Sequence, residues 1–187
     1  MSTPFRFVIR DGLAHDIPAC LELDHTYETE HVWQMSIFQD NYGWEIKFKT
    51  ERLPRILETT YPANQRRLQL SLPTNQCFLV AVGSEIPEIL GYLTMRAEPV
   101  RGVGYIQDVV VSRPFRRRKI GSRLLNIANR WAAEHNLHQL IMETQTKNYP
   151  SIEFCRATGF TFCGFNDQYL ENQDIAVFFG KPVDYPD

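Results

Sequence analysis

Apolar and polar positions set the first elements. "FRFVIRDG" reads as an edge strand that stops in a turn at Asp11-Gly12, and "DIPACLELD" as a short helix with Asp16 as N-cap and Pro18 in its first turn. In "VWQMSIFQDNYGWEIKFKTERLPR" two runs flank Asp40-Asn41-Tyr42-Gly43, and Trp44, Ile46 and Phe48 alternate with Glu45, Lys47 and Lys49. A period of two around an Asp/Asn/Gly turn predicts a β-hairpin. A proline-interrupted stretch runs from Pro54 to Pro73. Then "CFLVAVG" and "ILGYLTMRA" predict a second hairpin, and "GYIQDVVVS" is apolar enough for a strand buried on both faces.

From Ile120 the period lengthens: Ile120, Leu124, Ile127 or Ala128, and Trp131 recur at helical spacing through "IGSRLLNIANRWAAEH". "LHQLIMET" is a strand. "NYPSIEFCRATGF" is a helix with Pro150 and Ser151 in its opening turn, Ile152 and Cys155 on one face and Gly159 as C-cap. Two aromatic strands, "FTFCGF" and "DIAVFFG", close the chain. Tyr105 to Thr144 is thus a βαβ unit whose strands should be parallel with a right-handed crossover, while the flanking strands read as antiparallel. The expected fold is α/β of the α+β kind: a mixed, mostly antiparallel sheet with a central parallel pair, helices on both faces and an N-terminal β-hairpin insertion.

At 187 residues and 43% hydrophobic content the chain can fill one core, so a single domain over 1–187 is expected. A net charge of -2 makes any basic run a local feature and argues against a dedicated nucleic-acid binder. No stretch approaches 18 consecutive apolar residues and the N-terminus does not read as a signal peptide, so no membrane partner and a cytoplasmic location are expected. Cys20, Cys77, Cys155 and Cys163 stand far apart, and His135 and His138 lack partners at ligand spacing. Neither a disulfide frame nor a metal site is expected.

The candidate chemistry begins at "RRRKIGS". An apolar strand ends at Ser112, a helix begins near Lys119, and Arg113, Arg116, Arg117, Arg118 and Lys119 lie between them without an acid. A helix N-terminus offers unpaired N–H groups and the positive end of a dipole, so this loop suits a polyphosphate. Gly121 permits close backbone approach, and Ser122 adds a hydroxyl. No glycine precedes Lys119 at Walker spacing, so ATP hydrolysis is not implied. Alone, the run is equally a solvated basic turn.

The residues downstream give it context. "VVV", Arg116 to Gly121, Glu143, Asn148, Ser151-Ile152, Phe154-Cys155 and Gly159-Phe160 follow in the order and spacing of the GNAT N-acetyltransferase superfamily, which this segment resembles. Within it, "METQTKN" followed by "GF" and an aromatic last strand is similar to the streptothricin acetyltransferase-like branch. The resemblance implies acetyl-CoA as co-substrate and a cofactor-binding core over 105–160. Its pyrophosphate would lie on the backbone of Arg116, Arg117, Arg118, Lys119, Ile120, Gly121 and Ser122. Its pantetheine arm would run along the edge of Val109, Val110 and Val111 where two strands splay apart, with Asn148 nearby. Two departures stand out: Lys119 holds the place of the first family glycine, and Cys155 that of the tyrosine that often protonates the departing thiolate.

A lysine-like amine with a pKa of about 10.4 must lose a proton before it attacks. Asp108 and Glu143 are the candidate carboxylates for binding the cationic acceptor and routing that proton, and Cys155 is a candidate donor or a packing residue. Residues 25–75, with the hairpin, are expected to shape the acceptor side, with Trp33 and Tyr169 as substrate-binding candidates. Glu22, Asp24, Glu28 and Glu30, with Asp167, Glu171 and Asp174 of "NDQYLENQD", suit a cationic acceptor or a solvated acidic face. The expected activity is direct acetyl transfer to a primary amine of a small molecule, peptide or protein; the alternative is a non-catalytic acyl-CoA-binding module. The hairpin is also a candidate homodimer interface.

Overall fold

The computed structural model describes residues 5–85, 87–170 and 174–185; Glu171 lies outside the described residues. In chain order the elements are β1 (Phe7–Asp11), α1 (Ile17–Leu21), β2 (Thr26–Gln39), β3 (Trp44–Thr60), α2 (Gln65–Leu70), β4 (Cys77–Gly83), β5 (Ile89–Glu98), β6 (Val103–Val111), α3 (Ile120–Glu134), β7 (Gln139–Gln145), α4 (Tyr149–Ala157), β8 (Thr161–Asn166) and β9 (Ala176–Pro182). The strands hydrogen-bond in the order β1-β4-β5-β6-β7-β9-β8, and β2 and β3 form a separate two-stranded ribbon. β1/β4, β4/β5 and β5/β6 pair antiparallel, whereas β6 and β7 are parallel, as a helical crossover between them requires. The mixed, mostly antiparallel sheet expected from the sequence is therefore present. No described helix is long and apolar enough to cross a membrane.

The chain packs as two compact units: residues 1–26, 60–142 and 180–187 in one, 27–59 and 143–179 in the other. In the first, sheet alternation sends Phe78, Val80, Tyr92 and Val110 to one face, where Ile17 and Cys20 of α1 and Leu68 of α2 cover them. The opposite face receives α3, whose Ile120, Leu124, Leu125, Ala128 and Ala132 are buried along the stripe that its sequence period marks. The βαβ crossover and its flanking helices thus fix the two ends of the loop from Ser112 to Lys119.

The second unit holds the ribbon, α4 and β8. Here the expected hairpin is longer than its sequence signal: β3 continues through Pro54 to Thr60. A proline is tolerated where its missing N–H faces an unpaired strand edge, which a two-stranded ribbon always offers. The stretch from Pro54 to Pro73 also contains α2, capped by the Asn64 side chain, which accepts from the Arg67 N–H at 3.0 Å. Asp16 precedes α1 as expected, but its carboxylate accepts from the N–H of Leu13 (2.8 Å) and both terminal nitrogens of Arg10 (2.7 and 2.8 Å) instead of capping α1. The Arg10 guanidinium holds that carboxyl below its usual range.

Candidate active site

The basic loop is shaped by two left-handed residues. Arg117 and Lys119 have φ of 63° and 65°, a region that L-residues with a Cβ rarely occupy. Lys119 is the N-cap of α3, no side chain caps the helix there, and the first turn carries no acid. The first internal bond of the helix is Arg123 N–H to Lys119 C=O at 3.0 Å. The N–H groups of Ile120, Gly121 and Ser122 thus form the open donor end of a 15-residue dipole, which suits an anion.

The arginines divide their tasks. Arg116 turns back: its Nε donates to the Val111 carbonyl at 2.9 Å and a terminal nitrogen to the Asp24 carbonyl at 3.2 Å. Burial lowers its pKa from the usual arginine value. Arg118 lies 4.5 Å from the ring centre of Phe5, which itself stacks on Phe115 at 5.7 Å. Arg116 and Arg118 thus brace and pin the loop, beside the open N–H groups at the start of α3. A cavity of about 670 Å³ lies beside the same loop, lined among others by Arg10, Asp16, Leu23, Ser112 and Phe115, but it does not reach the start of α3.

Before the loop, the parallel pairing of β6 with β7 sets Val103–Ile106 against Gln139–Met142. Asp108 follows on the same strand and is 3% exposed. The β5/β6 register sets it opposite Thr94, and Tyr92 opposite Val110, so all four share the face covered by α1 and α2. The Thr94 hydroxyl donates to one carboxylate oxygen at 2.5 Å. The Tyr61 hydroxyl donates to the other at 2.8 Å, and the Arg67 guanidinium lies 2.8 Å from that same oxygen. Burial, reinforced by the charge of Asp108, pushes the Tyr61 phenol well above its usual range. Burial lowers the pKa of Arg67, but Asp108 together with Tyr61 and Tyr92 more than compensates and the net shift is upward.

Beside this cluster, His25 approaches the Leu23 carbonyl through Nδ1 at 2.6 Å and the Tyr92 hydroxyl through Nε2 at 3.3 Å. A neutral ring donating from Nδ1 and accepting at Nε2 satisfies both contacts, and burial lowers its pKa accordingly. Sequence reasoning singled out Asp108 but none of Tyr61, Arg67, Thr94, Tyr92 or His25. Thr94 and Tyr61 lie 14 and 47 residues from Asp108, beyond any local period.

The other sequence-identified residues lie in the second unit. Glu143 is half-buried on β7. Asn148 caps α4, its side-chain oxygen accepting from the Ser151 N–H at 3.1 Å, which leaves its amide nitrogen for a ligand. Cys155 is completely buried, and burial pushes its thiol up to about 12. A thiol that holds its proton this tightly is a poor donor to another thiolate of ordinary pKa, about 8.5. Its burial accords with packing, the other role the sequence allowed for it. Trp33 lies 5.6 to 5.9 Å from Phe48, Phe162 and Phe179 in an aromatic cluster, and its backbone N–H donates to the Thr146 carbonyl at 2.9 Å. Tyr169 is 54% exposed and meets Phe178 edge-on at 5.7 Å. The described residues contain no group of three or more His, Cys, Asp or Glu that would hold a metal.

Comparison with known proteins addresses the family and the fold. The profile of the Acetyltransferase (GNAT) family matches residues 29–160, more than half of the chain. Streptothricin acetyltransferase A of Bacillus subtilis is 28% identical over 82 residues, which cover 42% of this chain and 47% of that protein, so the match spans about half the relative's length. Nourseothricin acetyltransferase superposes with a TM-score of 0.81 at 19% identity, over 95% of this chain and 99% of that one. A Bacillus anthracis protein described as a streptothricin acetyltransferase, solved in complex with acetyl coenzyme A, superposes with a TM-score of 0.79 at 22% identity, over 96% and 99%. At those identities the structures speak for the fold, and the family profile for membership. The chain belongs to the GNAT acetyltransferase family and resembles the streptothricin acetyltransferases within it.

Proposed function

We propose that this chain transfers the acetyl group of acetyl-CoA directly to a primary amine of a small molecule or peptide. The observation that carries the reading is the uncapped start of α3, held open by left-handed Lys119 at the end of the basic loop that follows β6. The N–H groups of Ile120, Gly121 and Ser122 receive the pyrophosphate, as helix N-termini receive phosphates generally. Arg116 already occupies the Val111 carbonyl, which leaves the backbone of Val109, turned away from β5, for the pantetheine arm. Asn148 offers its amide nitrogen.

The neutral amine nitrogen forms its bond to the thioester carbonyl carbon as the carbon–sulfur bond breaks. The ammonium proton leaves to water, and CoA departs as the thiol. Glu143 is the carboxylate proposed to meet the cationic acceptor and start that proton on its way. Holding both reactants together contributes most of the acceleration, which suits a site without a tyrosine at position 155.

The named relatives make streptothricin the first acceptor to offer, and the acidic Glu28, Glu30 and Asp167 accord with a cationic one. The test is release of CoA thiol from acetyl-CoA in the presence of streptothricin, a polyamine and a lysine peptide, with mass detection of the acetylated product. Acetyl-CoA binding without thiol release on any of them would leave only a CoA-binding module. An acetylated enzyme formed without acceptor would exclude direct transfer.

A further inference from the structure

Asp108 is one of the two carboxylates that the sequence offers for routing the acceptor's proton, yet both of its oxygens are held. One oxygen faces Thr94, the other faces both Tyr61 and Arg67, and the residue is 3% exposed. A base needs a path for the proton. We propose that Asp108, Arg67 and Tyr61 form a charge-balanced anchor that fixes β6 at its bulge, immediately before Val109, and that Arg67 is a positioning residue for acetyl transfer. The proposal rests on the transferase reading above.

Register supplies the reason an anchor is needed. The β5/β6 ladder steps from Thr94–Asp108 to Met95–Ile106, so Gln107 is an extra residue, a bulge in β6. A bulge leaves backbone groups outside the ladder and re-aims the strand that follows. Here the Tyr61 hydroxyl stands 3.2 Å from the Gln107 carbonyl as well as 2.8 Å from Asp108, so one phenol meets both the bulged backbone and the carboxylate beside it. Arg67 holds Tyr61 in turn, its Nη2 lying 3.0 Å from the phenol oxygen. Leu68, the next residue on α2, is 1% exposed in the core, so the arginine is fixed at its base. The anchor therefore grips β6 by side chain and by main chain immediately before Val109.

Charge makes Arg67 the residue on which the anchor depends. The titratable groups around Asp108 are Arg67 from α2, Tyr61 before it, Tyr92 from β5 and His25 after α1. Both phenols are held protonated and the imidazole neutral, so the guanidinium alone among them balances the carboxylate at neutral pH.

Arg67→Met, Asp108→Asn, the double variant and Arg67→Lys test the proposal by thermal unfolding, CoA affinity and the pH profile of streptothricin acetylation. Arg67→Met strands a buried charge and is expected to lower Tm by on the order of 10 °C. It should also reduce kcat/KM at least about tenfold, the scale of a reacting group displaced by a fraction of an ångström. The double variant should recover most of the Tm and bring the rate within about tenfold of the parent, with the parent's pH limb retained, because a neutral amide in place of the carboxylate needs no cation. Arg67→Lys should fall between, and it keeps the test open if Arg67→Met does not fold. A double variant that regains Tm but stays about a thousandfold slow, without the parent's pH limb, would make Asp108 the base and overturn the proposal. So would additive Tm losses, which mean no coupling. If the parent protein acetylates nothing, the transferase reading fails, while the Tm cycle and CoA affinity still decide whether the anchor exists.

Discussion

Lys119 occupies a backbone conformation that its side chain resists. A left-handed residue with a Cβ carries about 1–2 kcal/mol of strain. Replacing it by glycine removes that strain, against about 0.4–1 kcal/mol of added unfolded-state freedom. Lys119→Gly is therefore expected to raise Tm by about 1–4 °C in a chain of this size. If only the backbone N–H groups hold the pyrophosphate, CoA affinity should stay within about threefold, less than the loss of one charge-assisted hydrogen bond would give. A tenfold loss in calorimetry would instead place the ammonium on a phosphate. Cys155 supplies a second residue-scale expectation. Cys155→Ala should retain acetylation within a few-fold and lower stability by about 1 kcal/mol, the scale of one lost heavy atom in a core. A loss of about a hundredfold in rate at unchanged stability would restore the thiol as proton donor. The sequence marked both positions as departures from the family pattern. The physical meaning of each came from φ at one and burial at the other.

Elements differ in how openly their sequences announce them. The period of Ile120, Leu124 and Ala128 marked α3, because a helix packed on one face of a sheet must show it. β3 was read only in its first half. Beyond Lys49 the alternation fades into Glu51, Arg52 and Pro54. Exposure separates the aromatics of the ribbon. Trp33 sits among Phe48, Phe162 and Phe179, so Trp33→Ala should cost about 2 kcal/mol or more, somewhat below the fully buried case. Trp44, 66% exposed, should change stability by no more than about 0.5 kcal/mol when replaced by serine. Chemical unfolding of the two variants side by side checks this. Close approach constrains β5: a Cβ on Gly91 would lie 2.4 Å from the Val110 carbonyl, so Gly91→Ala should push β5 and β6 apart and lower CoA affinity with stability.

Protonation of the whole molecule links the buried polar groups to stability. His25 is buried as the neutral ring, with its pKa lowered from the ordinary 6.5. The unfolded chain therefore takes up that proton first, and stability falls as pH drops through about 6.5, flattening below the depressed folded value. Asp16, held low by Arg10, adds stability above the ordinary carboxylate range of about 3.9 that is lost only as pH falls further. Tm measured from pH 8 to 5 should decline toward the acid side, and His25→Gln should flatten the step between about pH 7 and 5.5. An unchanged step would assign it to other groups.

What the sequence by itself determined is the local order: a basic loop between an apolar strand and an amphipathic helix, then Glu143, Asn148 and Gly159-Phe160 at family spacing. Those features are legible because a turn, a cap or a helical stripe is specified by residues within a few positions of one another. The assembly around Asp108 was decided only by tertiary structure. It joins a residue after β3, one on α2, one on β5 and one on β6. Their meeting depends on strand register, one bulge and the docking of a six-residue helix, which are long-range packing choices with no period to read.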